Sequence, residues 1–312
     1  MTASAFPRIY ALLAAIATVA VVLTGCRPSD ESTRAPGLPS YVTTIPPLAR
    51  IVEQIVGDRA TVHSLLARGA SPHTYEPLPS DAASVEKATA LLYVSEELDA
   101  WAASLPARSK VRVIDFLPES ERLHFAEGGD DHDHDHHGHS HGPGVVDPHF
   151  WVDPVAIRSM VPGLLAEMIR LDPEGKATYE TNAAKFVTSL GALDAELRTR
   201  LEPVRGRAVV LYHPSICYML KRYGIEYIGA LELSPGKEAT PTHISGIVKQ
   251  VKDAGVRALF SEPQLPIRAV HVVAEAAKIS VFELDPIGGV EGRMTLNELL
   301  LFNADVLAKA LR

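Results

Sequence analysis

Residues 174–202 read EGKATYETNAAKFVTSLGALDAELRTRLE, and this stretch decides how the rest of the chain is arranged. It follows Asp172-Pro173, contains no proline, and ends before Pro203 and Gly206. A helix of this length spans about 43 Å at a rise of about 1.5 Å per residue. The sequence therefore predicts one long helix that can cross between two lobes.

Short apolar runs alternate with segments of helical periodicity on both sides of this helix. Before it, the predicted strands are Tyr41–Ile45, Ala60–Leu66, Leu91–Val94 and Val111–Phe116. After it, they are Ala208–Tyr212, Ile225–Leu231, Ala258–Ser261 and Ser280–Leu284. Because parallel strands need crossover connections, this alternation predicts an α/β protein with two lobes, each a mostly parallel sheet flanked by helices. Ligands are expected in the cleft at the carboxyl ends of the strands.

Residues 1–26 have the features of a targeting segment. Arg8 supplies the positive charge, and the apolar run Ile9–Leu23 is short for a membrane span. The run ends in Leu-Thr-Gly-Cys, which resembles the bacterial lipobox, where cleavage leaves Cys26 as a lipidated N-terminus. An ordinary secretory signal or an anchor helix is the alternative. We expect a flexible tether at 27–39, a first lobe at 40–172, the bridging helix at 173–203 and a second lobe at 204–312.

Composition narrows the possible partners. The formal net charge is −8 and no basic stripe with interleaved aromatic residues occurs, so binding to nucleic acid is not expected. The chain has two cysteines, so lipidation of Cys26 leaves Cys217 alone and excludes an intramolecular disulfide in the mature chain. Cys217 lies in an apolar run and is interpreted as a small buried hydrophobic residue.

A histidine-rich stretch lies within the predicted first lobe, ahead of the long helix. Residues 130–153 contain seven of the chain's 13 histidines, and imidazole is the commonest protein ligand for zinc. The segment 119–146 lacks hydrophobic periodicity, which predicts a mobile surface loop. Six histidines are candidate low-affinity zinc ligands: His132, His134, His136, His137, His139 and His141. A solvated insert without function is the alternative.

Four other residues follow predicted strands or the histidine-rich loop at places that face the cleft. They are His73 in SPHTYEP, His149 in VDPHFWVDP, His213 in LYHPS and Asp285 in ELDPIGG. Each has a proline within two residues, and rigid turns reduce the entropy lost when a metal orders its ligands. Glu262, at the end of another predicted strand, is a candidate acceptor that would orient a ligand imidazole, and a plain acidic residue at a helix start is the alternative.

These four motifs, in this order, resemble those of the metal-binding solute-binding lipoproteins of bacterial ABC importers. These proteins are the family-9 periplasmic receptors for zinc and manganese. The resemblance covers residues from about Ser40 to the C-terminus. It implies a C-clamp fold of two four-stranded lobes bridged by a rigid helix, and one metal held by His73, His149, His213 and Asp285. The sequence departs from the family's usual sequence pattern in the two residues before His213 and over Gly288–Arg293.

Three imidazoles and one carboxylate suit tetrahedral zinc, whereas manganese prefers more oxygen ligands, so Zn²⁺ is the expected cargo. The resemblance implies an extracytoplasmic, lipid-anchored and non-catalytic receptor that is expected to be a monomer. Its expected partners are an ABC permease and, through it, a cytoplasmic ATPase. A manganese receptor of the same family, a tethered zinc hydrolase and a surface adhesin are the alternatives.

Overall fold

The computed structural model describes residues 37–125, 144–232, 236 and 239–312. The predicted signal segment with Cys26, most of the predicted tether, and the candidate zinc-collecting histidines at 132–141 therefore lie outside the described residues. In the part of the chain that the structure describes, no helix is both long and apolar enough to cross a membrane.

The first lobe contains a four-stranded parallel sheet with the spatial order β2-β1-β3-β4. Its strands are β1 (Ser40–Thr43), β2 (Thr61–Ser64), β3 (Ala90–Tyr93) and β4 (Lys110–Arg112). The helices that accompany it are α1 (Pro46–Val56), α2 (Pro79–Lys87), α3 (Glu96–Asp99) and α4 (Pro154–Leu171). Asp153 caps α4 through a 2.8 Å hydrogen bond from the Val155 N–H, as the Asp-Pro pair predicts.

The long helix α5 (Lys176–Leu201) confirms the prediction from residues 174–202, although short 3-10 turns replace its two ends. It packs against α1 and α4 of the first lobe and against α6 and α9 of the second. Its buried residues recur at helical spacing along one stripe: Tyr179, Ala183, Phe186, Leu190, Leu193, Leu197 and Leu201. The predicted bridge between two lobes is therefore present.

The second lobe contains a matching parallel sheet with the order β6-β5-β7-β8. Its strands are β5 (Ala208–Leu211), β6 (Glu226–Ala230), β7 (Ala258–Ser261) and β8 (Ser280–Glu283). Its helices are α6 (Cys217–Tyr223), α7 (Pro241–Asp253), α8 (Arg268–Ala277) and α9 (Leu296–Leu311). In the first sheet β2 and β3 lie on opposite sides of β1, and in the second sheet β6 and β7 lie on opposite sides of β5. Open α/β sheets bind ligands at such a topological switch point.

Two local predictions differ from the structure. The strand predicted at Val111–Phe116 ends after β4, and Val113–Phe116 form a 3-10 turn, because this segment packs against α4 and the Leu117 N–H closes the turn on the Ile114 carbonyl. The predicted loop 119–146 is structured at its ends: His124 pairs with Val146 in an antiparallel bridge, and the Phe125 N–H donates to the Val145 carbonyl at 3.0 Å.

Candidate metal site

Three of the four predicted ligands meet in space. One ligand nitrogen from each of His73, His149 and His213 lies within 4.8 Å of the other two. Their ring centroids are separated by 5.4, 5.0 and 5.3 Å, so the rings surround one point nearly evenly. The Nε2 atoms of His73 and His149 are 3.3 Å apart, and two nitrogens bound to one tetrahedral zinc lie roughly 3.3 Å apart.

The cavity between these rings is small and is formed by both lobes. It measures about 20 Å³, and besides the three histidines its lining includes Ser71, Ser215 and Gln264. His149 and His213 are each 2% exposed, and His73 is half-buried. A space of this size accommodates a single ion or one water molecule.

Asp147 orients the His149 ring, and the sequence interpretation did not identify it. Its Oδ1 atom accepts the His149 backbone N–H at 2.9 Å and lies 2.7 Å from Nδ1 of the ring. A carboxylate accepts a hydrogen bond from Nδ1–H, so Nε2 keeps its lone pair and can act as the ligand atom, as in carboxylate–histidine–metal triads. The sequence Asp147-Pro148-His149 could have indicated this role, since an aspartate side chain often accepts a hydrogen bond from the backbone N–H two residues later.

His213 sits at the switch point of the second sheet, just after β5. Its Nδ1 atom lies 3.2 Å from the backbone carbonyl of Glu232, which fixes the ring so that Nε2 can act as the ligand atom. Glu262 follows the neighbouring strand β7 and accepts a 2.6 Å hydrogen bond from the Ser215 hydroxyl. Glu262 thus lies beside the cluster, and burial raises its pKa to about 8.

Asp285 is buried after β8 but is not part of the cluster of ligand atoms among the described residues. Its Oδ1 atom accepts the N–H groups of Ile287 at 3.0 Å and Gly288 at 2.9 Å, and the Gln264 amide at 2.9 Å. Its Oδ2 atom lies 3.2 Å from the Arg293 guanidinium. The carboxylate is therefore held in place next to Ile287 and Gln264, both of which line the cavity.

Comparison with known proteins identifies the family. The family described as ZnuA, zinc-uptake complex component A periplasmic, matches residues 42–310. The high-affinity zinc uptake system protein ZnuA of Paracoccus denitrificans is 31% identical over 302 residues, which cover 88% of this chain and 92% of that protein.

Solved structures agree in fold. A crystal structure of ZnuA matches with a TM-score of 0.74 and 25% identity, covering 88% of this chain and all of that one. The laminin-binding protein Lmb of Streptococcus agalactiae, described as a bifunctional protein with adhesin and metal-transporting activity, matches with a TM-score of 0.75 and 27% identity over 88% of this chain. With two parallel four-stranded lobes, a long bridging helix and a histidine cluster between them, this chain belongs to the family of periplasmic zinc-uptake component A within the metal-binding solute-binding proteins.

Proposed function

We propose that this protein is the extracytoplasmic zinc receptor of an ABC importer. It captures Zn²⁺ between its lobes and delivers the ion to a membrane permease driven by a cytoplasmic ATPase. The observation that carries the proposal is the convergence of the ligand nitrogens of His73, His149 and His213 on one small cavity. Three imidazole nitrogens suit zinc better than manganese, which prefers oxygen ligands, so manganese uptake is not favoured.

We propose Asp285 as the fourth ligand of the captured zinc. The ion is cargo, and it exchanges its water shell for three imidazoles and one carboxylate. The carboxylate is buried and fixed by three hydrogen bonds to Oδ1, and Oδ2 lies 3.2 Å from the Arg293 guanidinium. Protons compete with zinc for the imidazole nitrogens, so capture weakens in acid.

We propose the following organisation around this site. Residues 1–26 form the lipoprotein signal, Cys26 carries the lipid, and residues 27–39 tether the lobes 40–172 and 204–312 through the helix 173–203. The lipobox-like motif Leu-Thr-Gly-Cys at residues 23–26 supports lipid anchoring through Cys26. The receptor acts as a monomer at the outer face of the cytoplasmic membrane or in the periplasm, and residues 132–141 collect zinc weakly.

Two alternatives make different demands. A zinc hydrolase needs a bound water next to a general base and turns over ester or peptide substrates, whereas membership of a transport family supports capture without catalysis. An adhesin needs a matrix ligand, and the likeness to Lmb is the observation that favours testing laminin. Absence of hydrolysis and of laminin binding by the zinc-loaded protein is the expected result for both assays.

Calorimetric titration of metal-stripped protein with zinc tests the receptor proposal. We expect one tight site, and we expect His213→Ala to weaken it by about 100-fold or more, since one of four zinc–ligand bonds is lost. His271→Ala, on α8 and outside the cluster, is the matched control and should leave affinity within about twofold. Equal affinity of wild type and His213→Ala would overturn the assignment.

A further inference from the structure

Helix α6 of the second lobe contacts the chain just before His149. The Tyr218 hydroxyl donates to the Asp147 carbonyl at 3.0 Å and accepts the Leu123 N–H at 3.0 Å. Asp147 is the residue that orients the His149 ring, and it also pairs with Leu123 through a 2.8 Å backbone hydrogen bond. Tyr218 is 2% exposed, so this contact is shielded from water.

The same helix also holds the chain just after His149. The Arg222 guanidinium donates to Oδ2 of Asp153 at 2.8 Å, and Asp153 is the N-cap of α4. Between these two anchors the Trp151 ring donates to the Pro286 carbonyl at 2.7 Å, next to Asp285. The segment 147–153 is therefore bound to the second lobe before, within and after its turn.

The loop that carries His73 has a different set of anchors. The Trp101 ring donates to the Pro72 carbonyl at 2.8 Å, and the Tyr75 hydroxyl donates to the Asp81 carboxylate at 2.7 Å. Both partners belong to the first lobe, beside α3 and in α2. The segment around His149 is thus hydrogen-bonded to the second lobe as well as to Leu123 of the first, whereas these two hydrogen bonds of the His73 loop lie within the first lobe.

We propose that Tyr218 and Arg222 are positioning residues that fix His149 to His213 as one rigid pair, and that His73 is the ligand that separates from this pair when zinc enters or leaves. The inference rests on the proposed function, since it takes the three histidines as zinc ligands. A relative movement of the lobes then changes the distance from His73 to the pair while the spacing within the pair stays constant. Release needs the loss of one imidazole, and the remaining ligands stay preorganised for the next ion.

Hydrogen–deuterium exchange of the metal-free and zinc-loaded full chain tests this division directly. In the wild type, zinc should slow exchange across the His73 loop, residues 68–78, by about tenfold or more, and should change residues 147–153 by less than about twofold. Zinc-dependent protection of 147–153 as large as that of the His73 loop would overturn the proposal. This measurement does not depend on any variant folding.

Tyr218→Phe removes the hydroxyl and keeps the ring. We expect faster zinc dissociation with about tenfold lower affinity, and residues 147–153 should now gain zinc-dependent protection. Tyr223→Phe is the matched control on the same helix, because its hydroxyl donates instead to Asp194 of α5. It should alter thermal stability without changing zinc dissociation or the exchange pattern, and equal dissociation rates for the two variants would refute the positioning role. Failure of wild type to bind zinc tightly would instead refute the proposed function.

Discussion

The Nδ1 atom of His149 lies 2.7 Å from the Oδ1 atom of Asp147, with both side chains buried next to the candidate zinc cavity. Because this carboxylate fixes the ring and its tautomer, we expect Asp147→Asn to lower zinc affinity by about 10- to 100-fold while every ligand remains. Competition with a zinc-chelating dye measures the change. Asp305→Asn, at an exposed ion pair on α9, is the control, and a similar affinity in both variants would contradict the role of Asp147.

Asp285 provides a test of the fourth coordination position. If its carboxylate binds the ion, Asp285→Asn should weaken zinc binding by about tenfold or more, and the visible spectrum of the cobalt-substituted protein should change, because the donor set changes. Glu283→Gln is a matched control, since Glu283 is a nearby partner of the same Arg293 guanidinium at 3.4 Å. An unchanged cobalt spectrum in Asp285→Asn would mean that a different group fills this position.

The histidine-rich segment should be separable from the tight site. We expect replacement of residues 127–143 by a short glycine linker to remove the weak zinc sites and to leave one tight site unchanged. The linker should preserve Gly144, whose N–H donates to the Phe125 carbonyl at 3.3 Å and closes the base of the segment. Calorimetry with excess zinc counts the sites in both proteins, and loss of the tight site would contradict the assignment of the cleft.

Asp99 gives a pH-dependent prediction for stability. Burial raises its pKa to about 6, although Thr44 and the N–H groups of Val94 and Ser95 donate to the carboxylate. The folded state then holds more protons than the unfolded state between about pH 4 and 6, so this group lowers the free energy of unfolding as pH rises through that window.

Asp99→Asn removes this titration and keeps a similar shape. The difference in unfolding free energy between the variant and the wild type should therefore shift in favour of the variant from pH 4 to 6, by about 1–3 kcal/mol, and then stay constant. Urea unfolding of the metal-free proteins measures it. A flat curve for Asp99→Asn would contradict the raised pKa.

Several features of the site were predictable because they depend on local sequence. Strand-helix alternation predicts the two sheets, the proline-free run 174–202 predicts α5, and Asp153-Pro154 predicts the start of α4. His73, His149 and His213 stand in proline-containing turns after strands or before a helix. Such turns are read from a few neighbouring residues, and three of the predicted ligands do converge.

Other predictions failed or were incomplete because burial by distant residues decides them. Val113–Phe116 look like a strand but form a turn beneath α4. The possible pairing of Glu262 with a ligand imidazole stays a prediction, because its described hydrogen bond is with Ser215.

The sequence by itself determined the elements, their order, and the histidines in their rigid turns, because these follow from periodicity and backbone chemistry over a few residues. Only the tertiary structure decided which side chains support them. Asp147 lies two residues from His149, but Tyr218 and Arg222 reach the same segment from 69 to 71 positions away. These contacts depend on how α6, which follows α5 in the sequence, packs against residues that precede α5. A pattern within a few residues cannot predict contacts between residues so far apart in the sequence.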